Sequence, residues 1–294
     1  MKHLGSDRFW FHVLGYSIIG FCSLLCIIPV LFIVAGSFTN EEEVIRTGYS
    51  LLPREWSVAA YRLVFEVPGE LLHAGLISVS LTVIGTTVGL FLTAMTAYAL
   101  QRKTLKYRNV ISFYIYFTSV FSGGLVPYYI VMVSYLHMKN NYLALLIPLL
   151  LNVFNILVMK GFFASLPEEI VESGKIDGAG EFTVFRRLMI PIAKPGLATI
   201  GLFIALAYWN DFFSSILFIT NQNLITLQYY LYNLLNKADS IQQMTQMSGI
   251  AVADFPKETV KLAVTSLVIA PILIVFPIAQ RFIVNGVTLG AVKG

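Results

Sequence analysis

Six apolar stretches, each long enough to cross a bilayer, dominate this chain: Val13–Gly36, Gly75–Leu100, Val110–Val133, Tyr142–Phe163, Leu197–Ile219 and Leu262–Phe282. A helix spanning the hydrocarbon core needs about 20 mainly apolar residues, and every backbone polar group within it must be paired. The pattern predicts an all-α polytopic membrane protein with six transmembrane helices. Charged residues make up only 12% of the chain, about half of what a soluble domain carries (~25%). The first apolar run is longer than the ~7–15 residues of a cleavable signal core and reads as an uncleaved span. Cys22 and Cys26 lie on one face of that span and read as apolar filler. With four scattered histidines there is no metal-ligand cluster.

Basic residues favour the cytoplasmic side of short loops. With the N-terminus inside, the inner segments collect Lys2 and Arg8, then Arg102, Lys103, Lys106 and Arg108, then Lys160, Lys175, Arg186, Arg187 and Lys194, then Arg281 and Lys293. The outer side keeps fewer: Arg46, Arg54, Arg62, Lys139, Lys237, Lys257 and Lys261. Both termini are therefore expected in the cytoplasm. Residues 1–12 form the N-terminal segment, 13–36 the first span, 75–282 a core of five spans, and 283–294 the tail. Within the core, 164–196 is a cytoplasmic loop and 221–258 an outer loop. The orientation bias accounts for the net charge of +4 without a nucleic-acid partner. Glu41–Glu43 in the first outer loop reads as a solvated acidic run, with contact to an external protein as the alternative.

Two spans carry unusual polarity. In the second, Thr82, Thr86, Thr93 and Thr96 fall near one face beside the small-residue pair Gly85 and Gly89. Such residues allow close helix approach, and tight packing is the expectation over a solute-lining face. In the fifth, Tyr208-Trp209-Asn210-Asp211 sits near the middle of the run, and Tyr208, Asp211, Ser214 and Ser215 share a helical face. A carboxylate at that depth must be paired or wetted. That leaves two readings open: a translocation pathway lined by Tyr208, Asn210, Asp211 and Ser215, or a hydrogen-bond clamp to another helix. Prolines 127, 148, 271 and 277 interrupt spans, and Gly123-Gly124 suggests a local break.

The stretch "EEIVESGKIDGAGEF", Glu168–Phe182, is the polar exception in the cytoplasmic loop. Ser165 is a candidate cap for a helix with Pro167 in its first turn, and Glu168 and Glu169 would face the positive end of its dipole. Ile170 and Val171 give the helix an apolar side, and Gly178 and Gly180 break it. A second helix follows over "EFTVFRRLMIP", with Phe182, Phe185, Leu188 and Met189 apolar and Pro191 ending the pattern. A short amphipathic helix of this kind must bury its ridge, and its five acids disfavour anionic lipid, so the expected partner is protein.

This loop resembles the EAA motif of binding-protein-dependent ABC importer permeases: E-A-A, three residues, G, nine residues, then I-x-L-P. Glu172-Ser173-Gly174 stands at E-A-A, Gly178 at the glycine, and Leu188-Met189-Ile190-Pro191 at I-x-L-P. "KIDGAGEF" and "IPIAKPGLAT" resemble the maltose-permease-like carbohydrate importers. "GGLVPYY", "YWNDFFSS", "PKETVKLA" and the ending "QRFIVNGVTLGAVKG" look like the branch that imports acidic oligosaccharides such as alginate and pectin fragments. The resemblance runs from Val13 to Gly294. It implies the type I (MetI-like) permease fold in a bacterial cytoplasmic membrane.

It also implies that Pro167–Gly180 is a coupling helix docking on a separate ATPase, with contacts from Glu168, Glu169, Glu172, Ser173, Gly174, Asp177, Gly178 and Ala179. The implied partners are a second homologous permease, two ATP-binding cassette subunits, an extracytoplasmic solute-binding protein touching Asn221–Glu258, and the lipid bilayer. The tail Asn285–Gly294 would lie near the ATPases. The chain has no G-x-x-x-x-G-K-[ST] loop, so ATP and Mg belong to the partner subunits and this chain is expected to bind no cofactor and catalyse nothing. A gradient-driven transporter would want paired intramembrane ionisable residues, and here Asp211 stands alone. A membrane enzyme would want a convergent catalytic set, and His3, His12, His73 and His137 sit scattered at segment edges.

Overall fold

The computed structural model describes residues 3–66, 68–236 and 257–291. Lys2, Lys237, Lys293 and residues 237–256 of the outer loop lie outside these, as do the side chains of Arg8 and Arg281 and those of the tail. The regular structure of the described residues is helical, apart from one isolated bridge between Thr39 and Trp56. It divides into two compact units, Met1–Pro68 with Asn233–Ala270, and Gly69–Tyr232 with Pro271–Gly294.

In the first unit, helix α1 (His3–Ser37) is followed by the short α2 (Glu41–Thr47) and α3 (Ala59–Glu66). The apolar part of α1, Phe9–Ser37, is unburied along its most hydrophobic window. It packs only at its end, where a Cβ on Gly36 would come within 2.6 Å of Leu262, Ser37 Oγ bonds Tyr61 Oη at 2.8 Å, and Phe38 stacks on Tyr61 at 4.8 Å. The acidic run is not a solvated loop, as its sequence suggested. Glu41 accepts hydrogen bonds from the backbone N–H groups of Glu258 and Thr259 and from Thr259 Oγ1, at 2.9, 2.9 and 2.7 Å, capping the first turn of the final helix. The N–H groups of Arg54 and Glu55 bind Glu43 and hold its carboxyl below the usual range. Glu42 stays outside, beside Arg46.

In the second unit α4 (Pro68–Gln101) is one long helix. Then come α5 (Arg108–Val120), α6 (Leu125–Ile130) with a π turn Val131–Tyr135, α7 (Tyr142–Leu146) with a 3-10 turn Ile147–Leu149, and α8 (Val153–Ala164). The loop 164–196 holds α9 (Glu169–Ile176), then α10 (Glu181–Val184), which runs through a π turn Phe185–Met189 into α11 (Ile190–Ile192). Next are α12 (Lys194–Trp209), α13 (Phe213–Phe218) and α14 (227–236). The last helix, α15 (Lys257–Ala291), starts in the first unit and ends in the second.

Three helices are long and apolar enough to cross a membrane, Phe9–Ser37, Gly69–Gln101 and Lys257–Pro277, and six spans result if each bent pair counts as one. The bent pairs turn by 110° between α5 and α6, 44° between α7 and α8, and 86° between Glu181–Ile192 and Lys194–Trp209. The sharpest bend falls at Gly123-Gly124, as expected there: Gly124 adopts φ +90°, a conformation a side chain would strain. The fifth span differs from its expected extent. The helix stops at Trp209, and Phe213–Phe218 is a separate element, so Tyr208, Asp211, Ser214 and Ser215 do not share one helical face. Pro191 also fails to end its helix; the chain continues to Ile192 and turns at Ala193.

Candidate coupling loop and intramembrane polar segment

The loop 164–196 is built around close packing. Helix α9 is shorter than Pro167–Gly180, and Ser165 does not cap it. Ser165 closes α8 instead, its hydroxyl donating to the Phe162 carbonyl at 2.7 Å, and Glu168 occupies the N-cap position of α9. At the other end Gly178 takes φ +79°. The Ala179 N–H reaches Gly174 O at 2.9 Å and the Gly178 N–H reaches Lys175 O at 3.0 Å, a Schellman stop that needs the left-handed residue. Val171 and Gly174 are buried, and a Cβ on Gly174 would come within 2.7 Å of Leu188 and 3.2 Å of Val184. The small residue at this place lets α9 lie directly on the α10 segment, over a core that includes Val184, Phe185, Met189, Tyr98 and Phe163.

Charge fixes the same arrangement. Glu181 accepts a hydrogen bond from Tyr98 Oη at 2.8 Å, pairs with Lys175 Nζ at 2.8 Å, and stands 3.5 Å from Nε of the buried Arg102. Lys103 Nζ donates to Glu168 at 2.7 Å, and that ammonium holds the Glu168 carboxyl below its usual range. Two of the five acids therefore tie the loop to the end of α4. The remaining three, Glu169, Glu172 and Asp177, are exposed and make no ion pair among the described residues, and Ser173 lies on the same outward side. Ile176 joins them at 86% exposure. Sequence reasoning missed it, although an isoleucine off the Ile170–Val171 stripe is a signal the sequence carries.

The polar segment 208–215 has a different construction. Tyr208 is 3% exposed, its ring fills the space left by Gly85, and its hydroxyl donates to the Leu146 carbonyl at 2.6 Å. That carbonyl lies where the α-helical ladder of the fourth span tightens to a 3-10 turn, with the Leu150 N–H bonded to Ile147. Gly89 is similarly close, its would-be Cβ lying 2.9 Å from the Leu150 carbonyl, so the glycine pair of α4 serves tight packing. Of the threonines on that helix, Thr93 is fully buried. Asp211 is half-buried and accepts from the Ser214 N–H at 3.2 Å, restarting the helix after its break. Ser215 is buried against Thr226 Oγ1 at 3.1 Å. Asn210 is exposed, its amide bonded back to the Leu206 carbonyl at 2.9 Å. The structure thus gathers Asp211 and Ser215 around the Thr226 turn and turns Tyr208 inward to the α4 glycines. Beyond the break, Asn140 at φ +55° fastens the chain, its Oδ1 accepting from the Thr220 and Asn221 N–H groups at 2.7 and 2.9 Å.

Residues 85–289 match the family model of the binding-protein-dependent transport system inner membrane component. The chain belongs to this family. It is a multi-pass permease subunit, the membrane component of an importer, and such subunits are not the catalytic ones. Protein LplC of Bacillus subtilis (strain 168) is 36% identical over 97% of this chain and 95% of its own length. The polygalacturonan/rhamnogalacturonan transport system permease protein YtcP of the same organism is 35% identical over 97% of this chain and 98% of its own. Among solved structures, a bacterial ABC transporter involved in the import of the acidic polysaccharide alginate superposes with a TM-score of 0.81. It is 28% identical, and the match covers 94% of this chain and 97% of that one.

Proposed function

We propose that this permease forms half of the translocation pathway of an ATP-driven carbohydrate importer, and that the cargo is an acidic oligosaccharide, such as an alginate or pectin fragment, delivered by a solute-binding protein. The reading places the chain in a bacterial cytoplasmic membrane with both termini and the α9 loop inside. A second homologous permease and two ATPases complete the assembly, and ATP and Mg are bound on the ATPases. The observation that carries it is the two-sided α9: one face buried on Val184 and Leu188, the other exposing Glu169, Glu172, Ser173, Ile176 and Asp177, whose three acids make no ion pair among the described residues. A short helix with that surface is suited to a groove on a soluble subunit. Closure of the ATPases on ATP would carry α9. Glu181 and Glu168 would pass the motion to α4 through Arg102, Tyr98 and Lys103, as a rigid-body switch biased by ATP affinity.

The acidic cargo is supported by the names of the relatives above, whose printed substrates include polygalacturonan and alginate. Asp211 is read as a helix cap, its carboxylate accepting from the Ser214 N–H, and not as a contact of the anionic sugar. The test is reconstitution in liposomes with the co-purifying membrane partners. ATP hydrolysis stimulated by a uronate-loaded binding protein, with uptake of that sugar, is the expected result. A chain that purifies alone and transports without ATP would refute the proposal.

A further inference from the structure

We infer that a cavity at the break between α7 and α8 is a sugar-ring subsite on the cargo's path. The inference rests on the importer reading above and specifies which side chains of this chain hold the carbohydrate. The cavity, of about 480 Å³, is lined by Pro148, Asn152, Phe154, Asn155, Phe203 and Ala207 among others. That size lies within the ~300–1,000 Å³ of small-molecule sites. It opens near the middle of the fourth apolar segment, at the turn between Leu149 and Val153 where the helix is interrupted.

Its chemistry is specific. Asn155 is only 6% exposed, its side-chain amide makes no hydrogen bond among the described residues, and it lines the cavity. That amide offers two donors and an acceptor to whatever enters. Asn152 adds a second amide, whose oxygen is used by the Asn155 N–H at 3.3 Å while its NH₂ remains available. The lining also carries two aromatic rings, Phe154 and Phe203, with centroids 6.5 Å apart and planes inclined by 39°. Phe154 is 62% exposed. The C–H face of a pyranose seats on the negative face of such a ring, while its hydroxyls reach the amides. No charged side chain lines the space. The subsite therefore grips ring and hydroxyls and leaves a uronate carboxylate to other groups, so it takes either galacturonate or mannuronate. The polar residues of the fifth span, by contrast, are largely engaged in bonds within the chain.

The test uses the whole assembly in liposomes, with trigalacturonate and trimannuronate as probes on the binding protein, and reads sugar imported per ATP hydrolysed. Asn155→Leu and Phe154→Leu remove the amide or the ring and leave an apolar side chain in its place. Each is expected to lower the ratio at least fivefold with whichever probe the wild type imports. Asn155→Gln and Phe154→Tyr are expected to return it to within twofold. Wild-type ratios in both leucine variants overturn the subsite. So does a Phe154→Leu ratio equal to that of Phe154→Tyr, the pattern of a space filled by a lipid chain or a neighbouring helix. If the leucine variants fail to assemble, Phe154→Trp supplies the reading: a sugar-dependent emission change is expected in the ATP-trapped assembly, and its absence overturns the subsite. Failure of the wild type to import any sugar with ATP refutes the importer reading itself, and is distinguished from failure of the subsite because no variant is needed to see it.

Discussion

The loop 164–196 and the polar segment 208–215 both interrupt apolar sequence with acids and small residues, yet they use them in opposite ways. In the loop, packing and two ion-paired glutamates fix the backbone, and three acids are left over. In the 208–215 segment the backbone is broken, and the polar groups are spent within the chain: Asp211 on the Ser214 N–H after the break, Tyr208 on the Leu146 carbonyl of the fourth span's own break, Ser215 on Thr226 Oγ1. Inside a bilayer a broken helix leaves backbone groups that water cannot satisfy, so neighbouring side chains must do so. At the aqueous surface that demand is absent, and residues remain free for a partner. The same residue types therefore mark an interface in one region and a repair in the other.

The comparison predicts where charge reversal matters most. Glu172→Lys changes an unpartnered outward acid without touching the fold. It is expected to lower uptake at least tenfold while the purified assembly still hydrolyses ATP; normal uptake would remove Glu172 from the interface. Gly85→Ala strikes the other region through packing. The added methyl overlaps the Tyr208 ring and should cost about 1–3 kcal/mol. The readout is the thermal midpoint of the detergent-solubilised chain, against Gly161→Ala, where nothing lies within 4 Å of the added carbon. Equal midpoints would mean that the Tyr208 contact is loose.

Smaller effects sharpen the contrast further. Glu181→Gln removes the charge that Lys175 and Arg102 share. With the carboxylate side chain 48% exposed, solvent screening limits the loss to about 1 kcal/mol or less. Hydrogen exchange over residues 169–184 should quicken, and unchanged exchange would show that apolar packing alone holds the loop. Asp211→Asn is expected to change least, since the amide oxygen still accepts from Ser214 N–H. Uptake within twofold of wild type is the outcome for a helix cap, and loss of uptake with intact assembly would return Asp211 to the pathway.

Much of this was legible in the sequence, for physical reasons that also mark where legibility ends. Apolar runs announce spans because the bilayer demands length and composition, and the spacing from Glu172 to Pro191 announces the loop because Gly174 and Gly178 answer steric needs set within twenty residues. Pro148 announced the break beside Leu150, but the break at Asn210 was not legible. The distant groups that serve the two, Tyr208 for one and Thr226 for the other, leave no local pattern in the sequence. Ser165 read as a helix start by type alone, but its hydroxyl serves the turn behind it. Glu41 read as solvated because its partners, the N–H groups of Glu258 and Thr259, lie more than 200 residues away.

The most direct test of the central claim is a photo-crosslinking amino acid at position 176, with the complete assembly isolated from membranes. Ile176 projects from the outward side of α9 at 86% exposure. The account predicts an adduct with the ATPase subunit, changing in yield when ATP is trapped. An adduct with lipid or with the second permease alone, in an assembly that contains the ATPase, would contradict it.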